Sequence, residues 1–165
     1  MSAIRTLLEQ IKDLPLSQAM RESVWLFPTI ETMHVLCITL VVGSIAVVDL
    51  RLLGVTSKRK PLTELTREIL PWTWGLFVMA AISGALMFTA KPVAYFDNVP
   101  FRLKMLCLVL AGLNMAAFHL FTYRSVQHWD QDKPTLAGAK IAGLLSLVFW
   151  IGVVTFGRWI GFTVR

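Results

Sequence analysis

Four long apolar runs divide the chain. The first extends roughly from Thr29 to Leu50, with Glu31, His34 and Asp49 as its only acidic or basic side chains. The second, Pro71 to Ala90, carries no charge. The third, Leu103 to Tyr123, holds Lys104 near its start and His119 near its end. The fourth, Ile141 to Phe162, has Arg158 as its only charge. A helix needs about 20 such residues to cross the hydrocarbon layer of a bilayer. Barrel strands need about 9–11 residues of alternating polarity, a pattern these runs lack. The reading is an all-α fold, an integral membrane four-helix bundle over residues 29–165, with helices at about 29–50, 71–90, 103–123 and 141–162.

The punctuation agrees with this division. Pro71 suits a first helical turn, where its missing N–H is not needed. Trp72, Trp74 and Trp159 fall where aromatic side chains favour the headgroup level. Lys91-Pro92 stops the second helix, and Asn98-Val99-Pro100 marks the turn before the third. A polar loop from Ser125 to Thr135 precedes the fourth. Residues 1–28 differ in character. Ile4, Leu7, Leu8 and Ile11 recur at helical spacing opposite Arg5, Glu9 and Lys12, and Asp13-Leu14-Pro15 breaks the run. Leu16, Ala19, Met20 and Ser23 then form a second short face. Two amphipathic helices lying on the membrane surface are expected here. The basic, apolar and cleavage regions of a secretory signal are missing, so the first membrane helix is expected to act as its own insertion signal.

Composition narrows the class. Of 165 residues, 56% are apolar and 16% charged, with mean hydropathy +0.65. Soluble domains average about 45–50% apolar and about 25% charged. This excludes disorder and an ordinary soluble enzyme, and two cysteines are too few for a disulfide scaffold. The net charge is +6, and the basic residues sit at the ends of the apolar runs, which favours a lipid bilayer over nucleic acid as the partner. The loops after the first and third helices hold eight basic residues, among them the cluster Lys58-Arg59-Lys60. The opposite side holds six, so those loops are expected in the cytoplasm and both termini outside. The expected location is therefore a plasma membrane, multi-pass, with both termini outside.

Ionisable groups inside a membrane cost about 2.5–3.5 kcal/mol each on insertion scales and mark candidate sites. Glu31, His34, Lys104 and Arg158 all fall within about two turns of the outer boundary. Cys37 shares a helix face with His34, and Cys107 with Lys104. His119 lies near the inner end of its helix, about 15 Å from the depth of His34. Two ligands of one metal must approach to roughly 4 Å, so the two histidines are not expected to share an iron. This leaves His34 paired with Lys104, or with Cys37 and Cys107. A lysine ligates iron only when neutral, a state that burial favours. Arg158 is then available to a haem propionate or to Glu31. The alternatives are structural: Lys104 and Arg158 snorkelling to headgroups, and His34 bridging two helices. His119, Asn114 and Asp49 form an inner polar patch or an interhelical hydrogen bond. Cys37 and Cys107, with Met33 and Met105 nearby, are the soft ligand types of Cu(I), although methionine and buried cysteine also serve as packing. His128 beside Asp130 and Asp132 is read as solvated. Gly157 and Gly161 allow close helix approach or a dimer contact. No nucleophile–base pair, phosphate loop or zinc motif is present.

The stretch Trp25-Leu26-Phe27-Pro28-Thr29-Ile30-Glu31-Thr32-Met33-His34, followed by Val47-Val48-Asp49-Leu50-Arg51-Leu52-Leu53-Gly54, resembles a family of small bacterial four-helix membrane proteins with no assigned function. Phe101-Arg102-Leu103-Lys104-Met105, Ala111-Gly112-Leu113-Asn114 and Phe118-His119 are similar to it too, so the resemblance runs from about Trp25 to Phe162. More distantly, a histidine early in the first helix and a lysine opening the third resemble the copper-resistance D-domain family. They also resemble the membrane-bound haem-type protoporphyrinogen oxidases, whose paired His and Lys are implicated in haem binding. These resemblances imply His34 and Lys104 as the matching positions. The expectation is a b-type haem protein passing electrons near the outer face, to quinone or to a periplasmic redox partner. His34 would be an axial ligand, Lys104 a second ligand or a propionate contact, and Arg158 a propionate partner. The alternatives are a non-catalytic accessory or assembly subunit, within a homo-oligomer or larger membrane complex, and a copper-handling membrane protein using His34, Cys37 and Cys107.

Overall fold

A computed structural model describes residues 2–56, 61–123, 126, 130 and 135–164. Those residues are helical wherever they are regular, with no strand among them. The first surface helix, α1, covers Ser2–Lys12, and α2 covers Pro15–Glu22. Four long helices follow: α3 (Leu26–Leu52), α4 (Leu62–Ala90), α6 (Val99–Ala117, continued by a π-helical turn, Phe118–Thr122) and α7 (Ala137–Thr163). Each is long and apolar enough to cross a membrane. The short helix α5 (Pro92–Asp97) joins α4 to α6. The basic cluster Lys58-Arg59-Lys60, and His128 with Asp132, lie outside the described residues.

The helices outrun the apolar segments that announce them. Pro71 does not open α4 but lies well inside it. Hydropathy locates the hydrocarbon boundary, whereas the helix continues beyond that boundary as long as it has something to pack on. The extra turns bury Leu62, Leu65 and Thr66, and Leu62 joins Leu52, Phe118, Val126 and Ala139 in a small core at the end where α3 finishes. Trp72 and Trp74, just past Pro71, stay exposed as an interfacial belt requires. The start of α4 is capped from a distance. The carboxylate of Asp130 accepts the N–H groups of Leu62 and Thr63 and the Thr63 hydroxyl, satisfying donors that no carbonyl of the helix can reach. Arg51 donates to the Asp130 main-chain carbonyl at 3.2 Å and ties the end of α3 to the same corner. Asp130→Ala is expected to lower stability by about 1 kcal/mol, as lost caps do, measured by thermal unfolding in detergent.

At this same end α3 stops in a Schellman turn. Gly54 takes φ +75°, and the N–H groups of Gly54 and Val55 return to the carbonyls of Arg51 and Leu50. α4 ends at Ala90, before Lys91-Pro92, as expected. Asn98 caps α6, accepting the Phe101 N–H at 3.0 Å.

The surface helices dock by few side chains. Leu8, Ser17 and Met20 are buried, while Ile4, Leu7 and Leu16 remain exposed and available to lipid. The buried face of α2 therefore centres on Ser17 and Met20, one residue along from Leu16 and Ala19. Arg21 donates to the Lys12 carbonyl and to the last carbonyl of α4, at Ala90. Arg5 and Arg102 both reach Asp97 of α5, at 3.3 and 3.7 Å.

The four long helices form two antiparallel pairs, α3 with α4 and α6 with α7, joined by α3 against α7; α4 and α6 scarcely touch. In lipid there is no hydrophobic drive between apolar helices, so the seams depend on close fit at small residues. A Cβ added to Gly143 of α7 would lie 3.1 Å from the Asp49 carbonyl and from the Leu52 side chain, so α7 approaches α3 closely here. Midway along the bundle Val41, Ala111, Trp150 and Val153 close the interior. A cavity opens on either side of this plug.

Candidate functional site

The cavity toward the chain's N-terminal end has a volume of about 410 Å³. Glu31, His34, Lys104 and Arg158 all line it. The four groups that the sequence places at one depth thus share one space. The reason is topological: α3 and α6 begin, and α7 ends, on the same side of the bundle.

His34 is held by α4. Its Nδ1 lies 2.9 Å from the main-chain carbonyl of Ala80 and 3.0 Å from Ser83 Oγ. A carbonyl only accepts, so Nδ1 carries the proton. The hydrogen of Ser83 goes to the Met79 carbonyl at 2.7 Å, leaving its oxygen free to accept from His34. Nε2 is therefore the unprotonated nitrogen, and it makes no hydrogen bond among the described residues. This is the outer-shell arrangement that fixes the tautomer of a metal-binding histidine. Gly84 makes it possible: a Cβ there would lie 3.0 Å from His34 Cε1. Ser83 and Gly84 are site residues that the sequence reading missed. Their signal is the run Ala80-Ala81-Ile82-Ser83-Gly84-Ala85, where small side chains let a ring approach the α4 backbone.

Lys104 turns inward. Its side chain passes over Gly157 of α7, where an added Cβ would lie 3.7 Å from Cδ, Cε and Nζ. Nζ has no hydrogen bond or ion pair among the described residues. Arg158 behaves differently: it is exposed, and its guanidinium sits 5.1 Å from the centre of the Phe162 ring. It forms no ion pair with Glu31 among the described residues. One wall is aromatic. Phe88 stacks on Phe101 at 5.5 Å, and Tyr95 packs against both. Burial pushes the Tyr95 phenol above its ordinary value, and the Glu31 carboxylate adds to this, so the ring stays neutral at neutral pH.

The set expected for copper does not assemble. Cys37 is buried and outside the cavity lining. Cys107 Sγ is pressed against α7, 2.9 Å from where a Gly152 Cβ would be. Among the described residues no three His, Cys, Asp or Glu side chains come together where they could hold a metal ion. A one-turn spacing puts Cys37 on the same side of α3 as His34, but deeper, where α3 is already packed. Gly157 and Gly161 both line the cavity, Gly157 beneath the Lys104 side chain of α6. His119, Asn114 and Asp49 line a different cavity, beyond the central plug, so the two histidines are separated as expected.

Residues 25–163 match a family of unknown function, DUF6644. The chain belongs to this family. No curated protein and no solved structure matches it. The matched stretch of this DUF6644 member begins at Trp25, just ahead of α3, and takes in both cavities; α1 and α2 lie outside it.

Proposed function

We propose that this chain is a b-type haem-binding protein of a bacterial inner membrane that passes electrons near the periplasmic face. The observation that carries the reading is His34: an imidazole fixed through Nδ1, with Nε2 bare, beside a cavity that also receives an inward-turned lysine. The residues suit haem. An axial ligand needs a neutral nitrogen with a free lone pair, a porphyrin needs flat apolar walls, and propionates need cations nearby. His34 supplies the first, Phe88, Phe101 and Val153 line the space, and Arg158 lies at the exposed edge. Lys104 would be a second ligand to the iron or a contact to a propionate. The cavity's 410 Å³ falls within the ~300–1,000 Å³ of small-molecule sites.

When bound, haem supplies a one-electron couple. The chain's own residues orient it, exclude water and set its electrostatics. Ala80 and Ser83 hold the His34 ring, and Glu31, Lys104 and Arg158 set the local charge. In this reading electrons pass to quinone or to a periplasmic redox partner, with both termini on the periplasmic side. The test is the haem content of protein purified in detergent from cells well supplied with haem. About one haem per chain is expected, and protein with no detectable haem overturns the proposal.

A further inference from the structure

The second cavity, of about 280 Å³, lies between the central plug and the end where α3 finishes. Its mouth is on the side where α4 and α6 scarcely touch, with Trp74, Gly112 and Met115 exposed along it. Its polar residues are Ser44, Asp49, Thr66, Thr73, Asn114, His119 and Ser146. Most of their donors are spent on the protein. Ser44 and Thr73 donate to the carbonyls of Leu40 and Ile69, and Thr66 to that of Thr63. Asn114 donates to the Ala142 carbonyl, and His119 Nδ1 to that of Met115, which leaves Nε2 as an acceptor. Ser146 lies beside the Asp49 side chain on the same lining. What remains is mostly acceptors, oxygens and one imidazole nitrogen, with the second Asn114 N–H and the indole N–H groups of Trp74 and Trp150 as the donors on this lining.

Asp49 is 4% exposed, and its Oδ2 has no hydrogen-bond partner. No lysine or arginine is among the described residues lining the cavity. A buried carboxylate oxygen without donor or counter-charge is costly, and more so within a membrane. A neutral hydroxyl would satisfy the hydrogen bond but leave the charge, and a proton taken up by the carboxyl would remove the charge, whereas a cation carrying N–H groups answers the charge and the hydrogen bond together. The opposite wall is suited to such a cation. Phe77 stands edge-on to Trp74 at 6.0 Å and to Trp150 at 6.5 Å, and all three line the cavity. Aromatic faces attract organic ammonium groups. At this end α6 also widens into its π-helical turn, a distortion that occurs frequently at functional sites.

We propose that this second cavity binds a small lipophilic amine in its protonated form, entering from the bilayer between α4 and α6, with Asp49 as its counter-ion. The site is separate from the His34 cavity and does not depend on the haem reading. The test compares 2-phenylethylamine with its neutral isostere 2-phenylethanol on the full-length protein in detergent, followed by tryptophan fluorescence and thermal shift. The amine is expected to bind at least tenfold more tightly than the alcohol, and Asp49→Asn to remove that difference. Equal binding of the two probes, no saturable binding of either, or an unchanged preference in Asp49→Asn overturns the proposal. The comparison of probes on the wild-type protein decides the matter even if the variant does not fold.

Discussion

His34→Ala is expected to leave a folded protein that has lost its haem, with haem per chain falling at least tenfold. The ring's links to α4 are a hydrogen bond to Ala80 and a contact with Ser83 Oγ. Net hydrogen-bond contributions are about 0.5–1.5 kcal/mol, so their loss weakens the α3–α4 pair without dismantling it. Ser83 keeps its own bond to Met79 and leaves no buried orphan. If His34 holds haem as proposed, the loss of Nε2 would by contrast remove the bond to the iron itself. Ser83→Ala is expected to act in the same direction but more weakly, within the ~10–100-fold range of outer-shell losses, because the Ala80 carbonyl still holds the tautomer. Lys104→Met is expected to retain haem and change its spectrum if Nζ is an axial ligand, and to leave the axial signature unchanged if it meets a propionate. A purely structural role for His34 predicts that none of these variants changes cofactor content.

Gly143→Leu is expected to have the largest effect on stability. Its Cβ would meet the Asp49 main-chain oxygen and Leu52 at 3.1 Å. A carbonyl within a helix cannot step aside as a flexible side chain can, so α7 must move away from α3. Overpacking a tight site costs about 1–3 kcal/mol, and this seam is what joins the two helix pairs. Unfolding in detergent should show a clear fall in midpoint and, because Asp49 sits in the seam, weaker amine binding. Gly75→Ala is the counterpart. Nothing lies within 4 Å of its added Cβ, so the gain in helix propensity, about 0.8–1 kcal/mol, is expected to appear as a small stabilisation.

Much of this fold is legible in the sequence because a bilayer simplifies the problem. Satisfying every backbone group in lipid requires a helix, so apolar runs read directly as crossings. The ends are harder. Pro71 looked like a helix start because hydropathy changes there, but α4 begins at Leu62, anchored by Asp130 across more than sixty residues of sequence. No local pattern encodes that cap. Depth along the helices brings Glu31, His34, Lys104 and Arg158 to one level, and they do line one cavity. It could not distinguish Lys104, which turns in over Gly157, from Arg158, which turns out over Phe162, because that depends on which face of each helix meets a neighbour. The same limit explains the copper set. Cys37 is one turn from His34 yet faces packed helix rather than open space, and Ser83 and Gly84, which shape the His34 site, carry no charge to draw attention.

The most direct measurement is the dithionite-reduced minus oxidised visible spectrum of the purified wild-type protein, recorded beside His34→Ala. The account predicts a Soret band with sharp reduced α and β bands in the wild type and their loss in the variant. A colourless wild-type protein, or a variant with the same bands as the wild type, would contradict it.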